Sequence, residues 1–496
     1  MILDNIGLLV RPVMRRLLGA SLGPMAEFTL RFVRTVVLSR LLVPNDLGAC
    51  IALGAIFSGC KLATDLGLDR YVVVFGREAP EAAIAAARQI SIFRGLVLGL
   101  ILIVFAPGIA PLFGHSVAAD AVRWLALPLI IDGFRNWRVI QLQLHYQFGP
   151  QAGSIASAQI GALLAAVAAI HWFHDERVML ISLIAEATLY TITSHAIMPR
   201  FCRRPAEPAM RRLALRFGLP LMINGIALWM LNQFDRVVVV NVFGSTALAI
   251  YSLVAGLAVI PLAVLSLVAS NLALPYLDRG RREIQPAGHE AALNVMFCHF
   301  AGAAVYAIGI AIFLGAAVPF VYGPQYSISR SFGILLSVFV FFRVIRTGIN
   351  LILLANDGTI KLTIGNLFGG TGPLIGLAIA MIWPRIESVT LGMVAGDLMS
   401  SLALLIFARR ALPVHVMLVM AVLFAAPVAF VVIGLSMIGG GSRLPASAIV
   451  FAVGSAAVLC SSVFVSRWRS ACNGSWLGGF RGARLSEAAS DFPSDS

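Results

Sequence analysis

Phe134-Arg135-Asn136-Trp137-Arg138 and Phe342-Arg343-Val344-Ile345-Arg346 each set two arginines inside a long apolar segment. Charge is costly in hydrocarbon, so ionisable residues within membrane spans usually face a bundle interior or a wet cavity. At a spacing of three, both arginines of a stretch are expected on one helix face. The two stretches lie 208 residues apart. That distance suggests corresponding positions in two similar halves, with an anionic group passing between them.

Composition points the same way. Of the 496 residues, 59% are hydrophobic and 12% are charged. Soluble domains carry about 25% charged residues, and a chain this apolar could not cover a soluble surface. The expected class is an all-α polytopic membrane protein. The net charge is +14, and Lys61 and Lys361 are the only lysines among 37 basic residues. In a soluble protein that excess would suggest nucleic acid; here its placement in loops matters more, and no nucleic-acid partner is expected. The six cysteines form no C-x-x-C pair and mostly lie in apolar runs, as small buried hydrophobes do.

A spanning helix needs about 20 mostly apolar residues. On that basis fourteen spans are expected, near 17–39, 47–75, 90–113, 119–145, 151–172, 178–198, 213–241, 247–275, 292–320, 329–355, 360–382, 388–408, 413–436 and 445–466. Basic residues concentrate in alternate loops: Arg77 and Arg88, then Arg200 to Arg216, Arg279 to Arg282, and Arg409 and Arg410. The other loops hold single arginines, at 40, 123, 177, 330, 385 and 443. The positive-inside rule then puts both termini in the cytoplasm. No cleavable signal peptide is read; residues 1–16, with Arg11, Arg15 and Arg16, suit a helix lying on the inner membrane face. The expected organisation is an interfacial segment 1–16, a first lobe 17–198, a basic linker 199–212, a second lobe 213–408, an appended helix pair 409–466 and a cytoplasmic tail 467–496.

The halves repeat weakly. Phe134, Arg135 and Arg138 fall on Phe342, Arg343 and Arg346, and Arg34-Thr35-Val36-Val37 falls on Arg236-Val237-Val238-Val239. Two six-span bundles of like topology place a substrate site between them.

The charges inside the spans are the candidate site. The first span carries Glu27, Arg31 and Arg34 on one face, and the fourth carries Asp132, Arg135 and Arg138. Asn232, Asp235 and Arg236 lie in the seventh, Arg343, Arg346 and Asn350 in the tenth, Glu186 in the sixth and Asp397 in the twelfth. Arginine outnumbers acid in the first, fourth, seventh and tenth spans. Guanidinium stays protonated and grips phosphate with two parallel bonds. Arg31, Arg34, Arg135, Arg138, Arg343, Arg346, Asn232 and Asn350 are therefore the candidate anion-binding set. Glu27, Asp132, Glu186, Asp235, Arg236 and Asp397 are candidate ion-coupling groups or charge partners. The plainer reading pairs Arg31 with Glu27, Arg236 with Asp235, Lys61 with Asp65 and Asp69 with Arg70. No Walker A loop and no H-E-x-x-H motif occurs, so neither ATP hydrolysis nor zinc chemistry is expected. The chain is read as a non-enzyme without cofactor.

The run Arg34-Thr35-Val36-Val37-Leu38-Ser39-Arg40-Leu41-Leu42-Val43-Pro44-Asn45-Asp46-Leu47-Gly48 resembles the first hairpin of Wzx-type polysaccharide flippases. Asp65-Leu66-Gly67-Leu68 resembles the end of their second helix. Leu231-Asn232-Gln233-Phe234-Asp235-Arg236 with Ala249-Ile250-Tyr251-Ser252 resembles the start of their second half. The resemblance covers about residues 15–410. It implies the multidrug/oligosaccharidyl-lipid/polysaccharide exporter fold, with two six-helix lobes around a central cavity, plus two extra C-terminal helices here. It implies a bacterial inner-membrane protein that flips undecaprenyl-diphosphate-linked oligosaccharide repeat units for O-antigen, capsule or exopolysaccharide synthesis. The bilayer, that cargo, and polymerase and chain-length or export proteins are the implied partners. A lipid II flippase, a multidrug antiporter of the same superfamily and a membrane-embedded polymerase remain alternatives. The first would be betrayed by lysis on loss, the second by export of cationic dyes.

Overall fold

A computed structural model describes residues 23–408 apart from 78, 115–116, 146, 199–204, 283–286 and 357–358. The expected interfacial segment, the last two spans and the tail lie outside the described residues. The chain divides into two compact units, Met1–Pro413 and Val414–Ser496. Both expected lobes, 17–198 and 213–408, fall within the first.

The described residues hold helices and no strand. Helix α1 covers 23–41. Then come α2 (Pro44–Ala63), α3 (Leu68–Phe75), α4 (Pro80–Ile109), α5 (Ala119–Trp124), α6 (Ala126–Gly133), α7 (Arg138–Gln141), α8 (Gly149–Ile170) and α9 (Arg177–Ile197). The second half has α10 (Pro208–Arg282), α11 (Ala287–Tyr322), α12 (Arg330–Ala355), α13 (Thr359–Gly370), α14 (Gly372–Ile382) and α15 (Ile386–Phe407). Nine stretches among the described residues are long and apolar enough to cross a membrane. One of them, Pro208–Val259, spans two expected helices, because α10 bends at Gly244 with φ 83°. Charge keeps α1 out of the nine. The protein is thus an all-helical, multi-pass membrane protein.

The hairpin motif acquires a physical meaning. Pro44 opens α2 at its first turn, where a missing N–H costs nothing. Asp65 accepts the Gly67 N–H at 2.9 Å, and Gly67 takes φ 58° to turn the chain into α3. Only glycine adopts that backbone without strain. Asp65 is therefore a turn cap rather than the expected partner of Lys61.

The largest departure lies in the fourth expected span. It is not one helix over 119–145 but a broken string of short helices. Residues 134–137 leave the helix between α6 and α7, and a short 3-10 turn follows over Leu142–His145. Arg135 and Arg138 consequently do not share a helix face as expected. Asn136 explains the break. Its backbone N–H donates to Ser194 Oγ at 3.1 Å, its side-chain amide donates to the Met198 carbonyl at 2.6 Å, and its Oδ1 accepts the Arg138 N–H at 3.1 Å. Asparagine side chains compete with the helix for backbone groups in this way. Trp137, 1% exposed, fixes the segment in a core with Tyr71, Val72, Ile84 and Ile140.

The two halves meet along α2 and the first part of α10. These run antiparallel, with Gly48 beside Ser245 at one end and Leu66 beside Gly218 at the other. A Cβ on Gly48 would sit 2.0 Å from the Ser245 carbonyl oxygen, and one on Gly225 would sit 2.1 Å from that of Leu62. Backbone touches backbone here, as small residues allow between membrane helices. A second tie joins the end of α1 to the end of α11. The Arg40 guanidinium donates to the carbonyls of Val321 at 2.9 Å and Phe320 at 2.6 Å. Those are terminal helix carbonyls with no partner in their own helix.

Candidate functional site

Three charged clusters gather the residues singled out from the sequence. The first lies between α1 and α9. Arg31 Nη2 is 2.9 Å from Glu27 Oε1 on its own helix and 2.9 Å from Glu186 Oε1 on α9. Arg34 Nη1 is 3.2 Å from the other oxygen of Glu186 and donates to Ser182 Oγ at 3.0 Å. Ser182 in turn donates to the Ala162 carbonyl on α8 at 2.9 Å. The cluster is graded: the side chain of Arg31 is 45% exposed, that of Glu186 13% and that of Arg34 9%.

The second cluster surrounds the break between α6 and α7. Asp132, at the end of α6, lies 3.5 Å from Arg94 and 3.9 Å from Lys61. It therefore serves α2 and α4 rather than its neighbours Arg135 and Arg138. Arg135 pairs instead with Asp69 of α3 at 2.9 Å and lies 4.0 Å above the Trp137 ring. Arg138 donates to both oxygens of Glu81, at 2.5 and 2.7 Å.

The third cluster joins α10, α12 and α15. Asp397 lies 2.8 Å from Arg346 and 3.6 Å from Arg343. Arg343 also donates to Asn232 Oδ1. One turn on, Asp235 accepts from the Tyr251 hydroxyl at 2.7 Å and from the Arg236 N–H at 2.9 Å. Asn350 follows Arg346 on the same face of α12, and its Oδ1 is buried with no hydrogen-bond partner among the described residues. A separate cavity of about 200 Å³, lined by Leu262, Cys298, His299, Tyr306, Val344 and Thr347, contains none of the candidate arginines.

These contacts correct one expectation. The sequence shows too few acids within the arginine-bearing spans to neutralise their arginines. In the structure all six candidate arginines lie within 4 Å of a carboxylate. The acids come from other helices or from helix ends outside the apolar runs, where spacing along one helix cannot reveal them. The pairings Lys61–Asp65 and Asp69–Arg70 are replaced by Lys61–Asp132 and Asp69–Arg135. The pairing Arg31–Glu27 is present. Asp235 takes the backbone N–H of Arg236 and the Tyr251 hydroxyl, and among the described residues it makes no ion pair with the Arg236 guanidinium. Arg94, Glu81 and Ser182 are not among the residues the sequence points to, and Tyr251 enters there only as a letter of the family motif. Arg94 carries a usable signal, a lone arginine in the apolar run 90–113, and Tyr251 lies in the quoted motif; Glu81 and Ser182 carry none.

Comparison with known proteins gives the family and the fold. The family described as polysaccharide biosynthesis protein matches residues 37–330. The succinoglycan biosynthesis transport protein ExoT of Rhizobium meliloti (strain 1021) is 26% identical over 258 residues, 51% of this chain and 51% of that protein. The chain thus spans about half the length of the curated relative it matches. Among solved structures, the lipid II flippase MurJ in an inward closed conformation superposes with a TM-score of 0.62 at 12% identity, covering 90% of this chain and 99% of that one. An inward-facing multidrug resistance MATE family transporter of the MOP superfamily gives 0.61 at 15% identity, covering 77% and 94%. At such identities the likeness shows the fold alone. The fold is that of the MOP-superfamily transporters, and by the match over residues 37–330 the chain belongs to the polysaccharide biosynthesis protein family.

Proposed function

We propose that this chain flips a polyprenyl-diphosphate-linked oligosaccharide repeat unit across the bacterial inner membrane, for assembly of an exopolysaccharide, O-antigen or capsule. The supporting observation is the α1–α9 cluster, where two guanidinium groups converge on one carboxylate and the outer of them, Arg31, is accessible. Family membership and the likeness to transport folds fit that reading. In it, arginines hold the diphosphate while the prenyl tail stays in lipid. Arg31 and Arg34 meet the anion first; Arg135, Arg138, Arg343 and Arg346, with Asn232 and Asn350, line its further course between the lobes. The lobes rock to open the path to each side in turn. No covalent step is involved, so the chain is a translocase rather than an enzyme. Both termini lie in the cytoplasm, and the flipped unit passes to a polymerase and its chain-length or export proteins.

The test uses the source bacterium lacking this chain. The wild-type chain should restore surface polysaccharide. An Arg31→Gln/Arg34→Gln double variant, present at the same membrane level, should not. Full export by the double variant would overturn the assignment of the anion site. Lysis on depletion, or export of cationic dyes, would redirect the function to lipid II or to drugs.

A further inference from the structure

We infer that Glu186 is a place-holder for the anionic cargo: a carboxylate of the protein that occupies the Arg31–Arg34 site when it is empty and is displaced when a phosphate group enters. This rests on the proposed anion site at those arginines and specifies how it is kept ready.

The geometry carries the inference. Glu186 uses its two oxygens on two different guanidinium groups, at 2.9 Å and 3.2 Å. A phosphate group bridges arginines in the same way, with two oxygens on two cations. Each arginine also keeps a second partner that does not depend on Glu186. Arg31 retains Glu27 at 2.9 Å, and Arg34 retains Ser182 at 3.0 Å, itself anchored on α8. With Glu186 gone, Arg31 would keep a carboxylate, whereas buried Arg34 would keep only the Ser182 hydroxyl and would need another anion to balance its charge. An unpaired buried charge is strongly destabilising, so an empty arginine pair in a membrane protein needs such a stand-in. Glu186 comes from α9 while the arginines come from α1, so exchange of the bridging anion changes what ties these two helices together.

The Asp397 bridge supplies the contrast. It too spans two arginines three residues apart, but the Asp397 side chain is 1% exposed and those of Arg343 and Arg346 are 11% and 8%. Nothing from outside reaches that bridge without rearrangement. At the α1–α9 bridge Arg31 is 45% exposed, so an entering anion can engage one guanidinium before Glu186 leaves the other.

The experiment measures binding of inorganic pyrophosphate to the purified full-length protein by its shift of thermal unfolding. If Glu186 competes with the anion, Glu186→Gln should tighten pyrophosphate binding, by roughly three- to tenfold for loss of one partly screened charge. Glu186→Asp keeps the competing charge and should bind as weakly as wild type. Asp397→Asn should show no such gain. Arg31→Gln/Arg34→Gln should abolish the shift in either background. Unchanged or weaker binding by folded Glu186→Gln, with the arginine variants still losing it, would overturn the place-holder and leave the anion site standing. Wild-type binding by the arginine double variant would overturn both. If Glu186→Gln does not fold, the aspartate variant decides: clearly tighter binding there, with the charge retained, contradicts competition.

Discussion

The two arginine pairs at 135/138 and 343/346 share spacing, a preceding phenylalanine and an apolar setting, yet they are built differently. Arg343 and Arg346 sit on the unbroken helix α12 and share one buried carboxylate, Asp397. Arg135 lies in a break of the chain, and each arginine of that pair has its own acid, Asp69 and Glu81. The residue between them marks the difference. Where α12 has Val344, the other stretch has Asn136, whose Oδ1 accepts the Arg138 N–H and whose amide N–H donates to the Met198 carbonyl at the end of α9. One polar side chain thus turns a shared cluster into two separate ion pairs.

The comparison can be broken most forcefully at Asp397. Asp397→Ala leaves two buried guanidinium groups without their carboxylate, and removal of one partner from a buried pair costs about 3–5 kcal/mol. Thermal unfolding of the purified protein should show a large fall. A fall no greater than that of Asp69→Ala would mean that the two pairs are energetically alike. Asn136→Ala comes next. It removes two side-chain hydrogen bonds at a 5% exposed position, a loss of about 1–3 kcal/mol. Asn136→Val tests the same point by chemistry. If tertiary packing rather than the amide breaks the helix, valine should be tolerated without loss. The smallest effect is expected for Arg135 with Asp69, whose side chain is 51% exposed. A double-mutant cycle of Arg135→Gln and Asp69→Asn should give a coupling of about 0.2–1 kcal/mol that weakens with salt. Coupling as strong as that of Arg346 with Asp397 would erase the distinction.

What could be read beforehand divides along the same line. The apolar runs mark helices because a membrane span must satisfy its own backbone, and the expected spans 151–172, 178–198 and 329–355 match helices α8, α9 and α12 to within two residues at each end. The family signature was legible because its letters make local structure: Pro44 starts a helix, and Asp65 with Gly67 ends one. The break at 134–137 was not legible, because hydrophobicity does not register where one asparagine finds Ser194 and Met198 on another helix. The candidate arginines were legible as charges in apolar runs. Their partners were not, since Glu186 lies 155 residues beyond Arg31 and Glu81 lies 57 residues before Arg138. Spacing rules reach one or two turns of a helix, and these contacts are tertiary.

The glycine contact between α2 and α10 bears on how the molecule is made. A ribosome that has delivered α1 to α9 has produced only one wall of that seam. Gly48, Gly59 and the backbone around Leu62 and Leu66 stay uncovered until the segment from Gly218 to Ser245 emerges. The first half is therefore not a finished object waiting for a second. Its second helix is shaped to be completed late in synthesis, and a chain severed between the halves would regain its form only where both pieces meet in the same bilayer.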